Sequence, residues 1–568
     1  MIRAATQPGE TLICMLTPPA AGARWAQSYD PTGRWWIATI FAALPLLLLL
    51  ALLLGLRMKA HRASALALAA ALLVTLGFFH MPVKLSSLAT LYGAAYGLFP
   101  IAWIIFPVIL MYDLTVRAGR FEQLQQCIAG VTEDGRLQLL LIAFAVGAFF
   151  EGAAGFGTPV AVCGTLLIGA GFPPVDAAAF ALLANTAPVA FGGMGIPIVA
   201  LHGVTGLDIR ALSRVISVLL APFCLLVPFW LITVFAGLRR TLEVWPAILL
   251  SGVLFGATQW AVAVFHGPWL VNIVASTVTI AGLVILFRFW RPPTLLGSRL
   301  QLISPADSSL CRPTLRKVVR ATAPWAILTA CVALWGTPAF ARILDSISAP
   351  AFRVNGLDQV VFRMPPVVPV PQAESAVFTF HWLSATGTGI FFAALVAAAV
   401  MRISAADFLC VLCGTFWKMR FTFVTIASLM AFAFLTRFCG LDGVLGLAFA
   451  RTGPLYPMFG TLIGWIGTAT TGSDTSSNVL FGSLQKLTAI QLGLPAVFMA
   501  AANSAGGVMG KMIAPQSAVV ATTAAGIYGK EGIILRRVAL HSILLATLMG
   551  FLIMILLQVP AAVRLAGN

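Results

Sequence analysis

Two ten-residue stretches place carboxylates, hydroxyls and glycines where an apolar helix should continue: EGAAGFGTPV at 151–160 and TGSDTSSNVL at 471–480. Polar, non-helical backbone at membrane depth is tolerated only where protein encloses it or where it lines a cavity, so each break marks an internal site. Two such breaks in corresponding halves of one chain are what the binding site of a secondary transporter requires. Each is followed by a turn, GFPPVD at 171–176 and QLGLP at 491–495, and then by a helix expected to break after an asparagine. Asn185 leads into TAPVAFGGMGIP and Asn503 into SAGGVMGKMIAP. Gly and Pro at this density free backbone amides and carbonyls, and half-helix N-termini supply positive dipole ends. A small anion can be held there without a dedicated arginine.

The ionisable residues at these breaks are the candidates for coupling. An intramembrane carboxylate is costly unless it is paired or protonated, which makes Glu151 the first candidate proton carrier and Asp474 the second. Asp474 could instead cap the segment after Gly472, because Ser-Asp-Thr-Ser-Ser is also a strong helix start. Gly152, Thr158, Asn185, Thr186, Ser473, Thr475, Ser476, Asn478, Asn503, Ser504 and Lys511 are the candidate substrate-binding residues. Dipole ends and hydroxyls near Ser473, Thr475 and Ser476 are the first choice for holding an anion, with Lys511 second. Lys511 could also snorkel or neutralise Glu151 or Asp474, and both asparagines could simply satisfy freed backbone groups. The two breaks and their partner helices are expected to meet near the bilayer midplane around one cavity.

The elements that must position these residues follow from composition. Of 568 residues, 60% are hydrophobic and 9% charged, with a mean hydropathy of +0.98. No soluble domain could hide that much apolar surface. Runs of about 20 apolar residues recur, and the alternating pattern of a membrane barrel is absent. The fold class is therefore an all-α polytopic membrane protein of about 12 transmembrane helices. A net charge of +17 would point to nucleic acid in a soluble protein, but here Lys and Arg cluster between the spans. That is the positive-inside pattern, and it places RMKAHR (57–62) and the stretch from Arg288 to Arg320 on the cytoplasmic side.

The domain organisation reads as an extra-membrane segment at 1–35, a first membrane half at 36–287, a polar basic loop at 288–320 and a second membrane half at 321–568. Repeat 1 covers about 97–201 and repeat 2 about 421–529. Within them Gly147 answers Gly467, Gly152 answers Gly472, Gly171 answers Gly493, and ANTA (184–187) answers ANSA (502–505). The charges are not shared: Glu151 faces Thr471, Asp474 faces Ala154, and Lys511 faces Gly193. Each repeat should contain a broken or re-entrant helix. The segment 342–381, with MPPVVPVP, reads as a proline-stiffened connector. Asp113 and Arg117 read as a local i, i+4 ion pair, and Cys410 and Cys413 as packing residues rather than a redox or metal pair. No signal peptide is read in residues 1–35, and with no catalytic triad, metal-ligand spacing or cofactor fingerprint in the sequence neither enzyme nor cofactor chemistry is expected.

EGAAGFGTPVAV, ANTAPVAFGGMGIPI, the TGSDTSSN run and ANSAGGVMGKMIAPQS resemble the L-lactate permease family. The likeness extends through YDPTG (29–33), YGLFPIAWIIF (96–106), TEDGRLQ (132–138), RMPPVV (363–368) and WLSATGTG (382–389) to the last span. It implies a multi-pass protein of the bacterial cell (inner) membrane, a proton symporter taking up L-lactate and related 2-hydroxy monocarboxylates such as D-lactate and glycolate. The hairpin-bearing repeats also resemble the wider ion-transporter superfamily, a likeness that implies a mobile unit moving against a scaffold, often in homodimers. The residues alone give a coupled carrier for a small anion. A sodium-coupled carboxylate carrier stands as the alternative, because hydroxyls and carbonyls are hard-cation ligands.

Overall fold

Uninterrupted runs of Leu, Ala, Ile and Val satisfy their backbone groups internally only as helices, and that is what the chain forms. The computed structural model describes residues 24–560 apart from 55, 57, 130, 156, 300–313, 528 and 529. Most of the expected N-terminal segment and the middle of the 288–320 loop lie outside the described residues. The first half runs through α1 (Trp35–Leu54), α2 (Ala60–Gly77), α3 (Val83–Tyr96), α4 (Trp103–Arg117), α5 (Arg120–Ala129), α6 (Gly135–Ala153), α7 (Thr158–Gly169), α8 (Pro174–Ala184), α9 (Gly192–Thr205), α10 (Ile209–Ala236), α11 (Trp245–Phe265) and α12 (Val271–Phe289). The second half runs through α13 (Leu315–Trp335), α14 (Pro338–Ile347), α15 (Thr386–Val400), α16 (Ala405–Cys439), α17 (Leu441–Ala450), α18 (Tyr456–Thr471), α19 (Asp474–Gln491), α20 (Ala496–Gly510), α21 (Pro515–Ala524) and α22 (Glu531–Leu556).

Among the described residues ten helical segments are long and apolar enough to cross a membrane, or eleven if the bent pair α8–α9 counts as one span. The difference from twelve lies in the hairpin arms. A 12-residue helix such as α7 is about 18 Å long, well short of a hydrocarbon core of about 30 Å. α3 and α4 form one path from Val83 to Arg117, kinked where Phe99 leaves helical geometry beside Pro100.

The hairpins α6–α7 and α18–α19 are rooted on opposite faces. Both ends of α6–α7 meet Leu296–Ser298, through Gly135 N donating to Leu296 O and Gly171 lying against Ser298. Arg136, fully buried at the start of α6, is held there by Asp134 and Glu243, at 2.8 Å each. Glu243 precedes α11, and just beyond the far end of α11 His266 Nε2 lies 3.2 Å from Ala333 O on α13. From α13 the chain continues into α14 and the strand segment without another long apolar helix, and there Gln491, the last residue of α19, donates to Pro366 O at 2.8 Å. The broken helices follow the same inversion. α8 starts on the basic face, where Asp176 pairs with Arg537 of α22, and α9 ends on the strand face, where Thr205 O accepts from Lys486. α20 and α21 run the other way. The two repeats are therefore antiparallel copies.

α18 and α20 pack at glycine-limited distance: a Cβ on Gly464, Gly506 or Gly510 would fall 2.1–2.2 Å from a carbonyl oxygen of the facing helix. Small residues at such spacing are how helices gain contact area where apolar surroundings give no hydrophobic incentive to associate. Asp113 and Arg117 do not pair with each other. Each is drawn to α16, Asp113 to Lys418 at 2.9 Å and Arg117 to Asp407 at 2.8 Å. Cys410 and Cys413 are free thiols on the exposed side of α16 rather than packing residues.

The 342–381 connector carries short strands in an otherwise helical protein. β1 (Trp25–Ala26) lies parallel to the later strand Val361–Arg363, tying the N-terminal side of α1 to the connector. There β2 (Ala351–Arg353) is followed by β3 (Val361–Arg363), β4 (Gln372–Ala373) and β5 (Val377–Thr379), with β3 antiparallel to β4 and β2 to β5. Glu374 follows β4, buried, and pairs with Arg363 and with Arg437 of α16, the latter at 2.9 Å. Burial would raise its pKa, but the charges of Arg437 and Arg363 outweigh burial and hold it below the usual carboxylate range. Because the folded-state pKa is depressed, the stabilisation is present above the unfolded value of about 4.3 and is lost as pH falls. The melting temperature of Glu374→Gln should therefore lie below that of the parent at pH 7, and the gap should close on acidification towards pH 3; a gap that does not change with pH would remove the ionic explanation.

Candidate functional site

The tips of the two hairpins require backbone that ordinary residues rarely adopt. α6 ends at Ala153, and the chain turns through Gly155 (φ 57°) and Gly157 (φ 87°) before α7 starts at Thr158. α18 ends at Thr471, turns at Gly472 (φ 73°), and α19 starts at Asp474. Its cap is Ser473, whose Oγ accepts from Ser476 N at 3.3 Å. The capping role open to Asp474 thus belongs to its neighbour. The broken helix of repeat 1 stops at Asn185 and passes three consecutive left-handed residues, Gly193, Met194 and Gly195, before resuming at Ile196. A left-handed Met is a strained position, and such positions cluster at functional sites. In repeat 2 the interruption comes later than expected. α20 runs on past Asn503 to Gly510, and α21 restarts at Pro515. The restart prolines, Pro197 and Pro515, keep the register of the asparagine pair.

These turns enclose one cavity of about 180 Å³, lined by both hairpin tips and both broken helices. It is below the range of drug-sized pockets, on the scale of a ligand with a handful of non-hydrogen atoms. Four helices begin at its wall: α7 near Gly157, the helical part of α9 at Ile196–Pro197, α19 at Ser473–Asp474, and α21 near Gln516–Ser517. Their N-termini present the positive end of the helix dipole, an arrangement suited to an anion.

Of the residues named from sequence, Glu151, Ser473, Asp474, Thr475 and Lys511 line this cavity. Glu151 is 2% exposed; its Oε2 accepts from Asn185 Nδ2 at 3.0 Å, and its Oε1 lies 3.9 Å from Lys511 Nζ. Gly192 leaves the room for that carboxylate, since a Cβ there would meet Oε1 at 2.4 Å. Asp474 Oδ2 accepts from Ser504 Oγ at 2.6 Å and from Asn478 Nδ2 at 3.4 Å, and Oδ1 accepts from Thr468 at 3.4 Å. Behind it a buried polar chain runs from Asn478 through Asn503 and Gln485 to Tyr456, with links of 2.9, 3.1 and 2.7 Å. Asn478 also donates to Pro197 O, joining repeat 2 to the restart of repeat 1.

The remaining residues named from sequence stand back from the cavity. Gly152 packs against Asn272 and Ile273 of α12; Thr158 is the first residue of α7; Thr186 bonds back to Leu183 O; Ser476 uses its amide for the Ser473 cap. Gln516 and Ser517 complete the wall but escaped the sequence reading. Their signal was available in APQS, the restart that follows Lys511 as GIPI follows Gly193 in repeat 1.

Antiparallel repeats, each with a hairpin and a broken helix closing on one small polar cavity, define a membrane carrier rather than an enzyme. The family model for L-lactate permease matches residues 38–560, and the chain belongs to that family. It is 40% identical over 536 residues to the L-lactate permease of Salmonella typhimurium, covering 93% of this chain and 97% of that protein. It is 38% identical over 547 residues to the glycolate permease GlcA of Escherichia coli K12, covering 93% and 97% respectively. Among solved structures it is similar to the YdaH transporter of Alcanivorax borkumensis, with 12% identity, a TM-score of 0.41, and coverage of 83% of this chain and 88% of the other.

Gly507 tests how tightly the Asp474 side is built. A Cβ there would fall 2.1 Å from Asp474 Oδ1 and 2.6 Å from Thr468 Oγ1. Gly507→Ala should lower the unfolding free energy by about 1–3 kcal/mol, as overpacking of a filled interior does. Gly169→Ala, where the added carbon meets nothing within 4 Å, is the matched control. Equal melting temperatures for the two variants would show that Asp474 is not held as described.

Proposed function

We propose that this permease takes up L-lactate, D-lactate and glycolate by proton symport across the bacterial inner membrane, using the cavity between the hairpin tips. The relatives named for lactate and glycolate support the substrate class. Each of these acids offers one carboxylate and one hydroxyl, which fit four helix N-termini, the Lys511 ammonium, and the hydroxyls and amide of Ser473, Thr475, Ser517 and Gln516.

The observation that carries the coupling is the position of Lys511, 3.9 Å from Glu151. With Glu151 ionised, the ammonium is engaged by its carboxylate, and the charge of an entering anion finds no free cation to compensate it. A proton on Glu151 ends that engagement and leaves Lys511 to the substrate carboxylate. Proton and anion then enter together and cross without net charge. In this scheme Asn185 positions Glu151, and Asp474 fixes the start of α19 through its three hydrogen-bond donors.

Labelled lactate uptake in proteoliposomes under an imposed pH gradient tests the proposal. Glu151→Gln keeps the shape but cannot ionise. It should abolish pH-driven accumulation while leaving lactate-for-lactate exchange, because exchange need not return an empty, deprotonated carrier. Full uphill uptake by the variant would clear Glu151 of the role, and uptake driven by a sodium gradient at clamped pH would replace the proton as coupling ion.

A further inference from the structure

Away from the hairpin tips, three arginines from separate elements line one cavity on the basic face. Arg120 opens α5, Arg320 lies in the second turn of α13, and Arg402 follows α15; with Pro324 and Met401 they wall a cavity of about 350 Å³. Arg402 adopts a left-handed φ of 59°, which a non-glycine residue takes only at a cost. Among the described residues none of the three meets a carboxylate at ion-pair distance. Arg120 donates to Gln123 at 3.0 Å, and Asp407, in the first turn after Arg402, is already paired with Arg117. Like charges gathered without a counter-charge repel, and an anion between them relieves that repulsion.

A second cavity, of about 720 Å³, continues along the same two helices. Leu124 lies one turn beyond Arg120 on α5, and Trp325 directly follows Pro324 on α13. The far wall comes from Phe149 and Phe150 of α6 and from α12, and no ionisable side chain lines it among the described residues. Its floor on α13 extends from Thr322 to Ala333, about 16 Å of helix, which is about half the thickness of a hydrocarbon core. An apolar groove one leaflet deep that ends at three arginines has the dimensions and charge of an acidic lipid.

We propose that an anionic phospholipid occupies this pair of cavities, its phosphate on Arg120, Arg320 and Arg402 and one acyl chain in the groove between α5, α6, α12 and α13. Arginine suits the headgroup because its planar fork meets phosphate oxygens two at a time. Basic pockets between membrane helices at the face bearing the cationic loops are sites for such headgroups. The chain would pack on Phe149 and Phe150, next to Glu151 in α6, so the lipid would brace the arm of hairpin 1 that carries the candidate proton carrier.

Thermal unfolding of the purified, delipidated protein with phosphatidylglycerol, phosphatidylcholine or inorganic phosphate separates the sources of the anion. Phosphatidylglycerol should raise the melting temperature, and neither of the other two should. Replacing all three arginines by Gln should weaken apparent affinity for phosphatidylglycerol by more than about tenfold, given the contribution of each cation near an anionic lipid. Ala330→Phe, which fills the groove and leaves the charges in place, should also reduce the shift. If the triple variant does not fold, Arg402→Gln alone, at an exposed side chain, should still weaken binding by about fivefold. Equal stabilisation by phosphatidylcholine, full protection by phosphate alone, or an unchanged response in the folded arginine variants or in Ala330→Phe would overturn the proposal.

Discussion

Interrupting a membrane helix leaves amides and carbonyls without partners, and each such group costs several kcal/mol in hydrocarbon. The architecture of this permease answers that constraint. Four interruptions are brought to one place, so that each encloses the others. Gly155 lies against Gly193, Gly157 against Val520, and Gly472 against Gln516, every contact joining a hairpin tip to a broken helix. Asn478 and Asn272 supply side-chain amides to Pro197 O and Pro188 O, on either side of the break in repeat 1. Helix N-termini gather around the cavity as a result, an arrangement suited to an anion.

Because the repeats are antiparallel, the scaffold is nearly symmetric across this cavity while its charges are not. Repeat 1 contributes Glu151 from the last turn of α6; repeat 2 contributes Asp474 at a helix start and Lys511 at the break. Lys511 stands at the position that glycine fills in repeat 1, and Gly193 there takes a left-handed turn that a lysine would adopt only under strain. The asymmetry thus has a backbone reason. The repeat whose break passes through right-handed geometry places a long cation at that point without backbone strain.

How much of this was legible in the sequence depended on the kind of signal. The breaks at 151–160 and 471–480 announced themselves as polar residues inside apolar runs, and their meeting followed from the repeat. Residues that act through distant partners were not legible. Arg136, fully buried between Asp134 and Glu243, shows this in no local pattern, because Glu243 sits in the turn before α11, far along the chain. Asp113 and Arg117 misled for the converse reason: i, i+4 spacing permits a pair, but α16 offers each a partner of its own. The prolonged α20 shows the limit of repeat logic, since Asn503 is held inside the bundle by Asn478 and Gln485 while Asn185 turns to Glu151.

That divergence between the two asparagines separates the two carboxylates. Asp474 is anchored from three directions, by Ser504, Asn478 and Thr468, and through Asn478 to the chain that ends at Tyr456; moving it would disturb a fully bonded network inside α18–α20. Glu151 has one neutral donor, Asn185, and one cation at a distance too long for a hydrogen bond. Asn185 itself keeps a buried oxygen without a partner, so the repeat 1 side of the cavity holds unspent hydrogen-bonding capacity. A group that must exchange partners during each cycle belongs on the side where partners are few and loosely set, and a group that must keep a helix start in place belongs where they are many. The contacts divide in that sense, many around Asp474 in repeat 2 and few around Glu151 in repeat 1, which is the division the proposed coupling scheme requires.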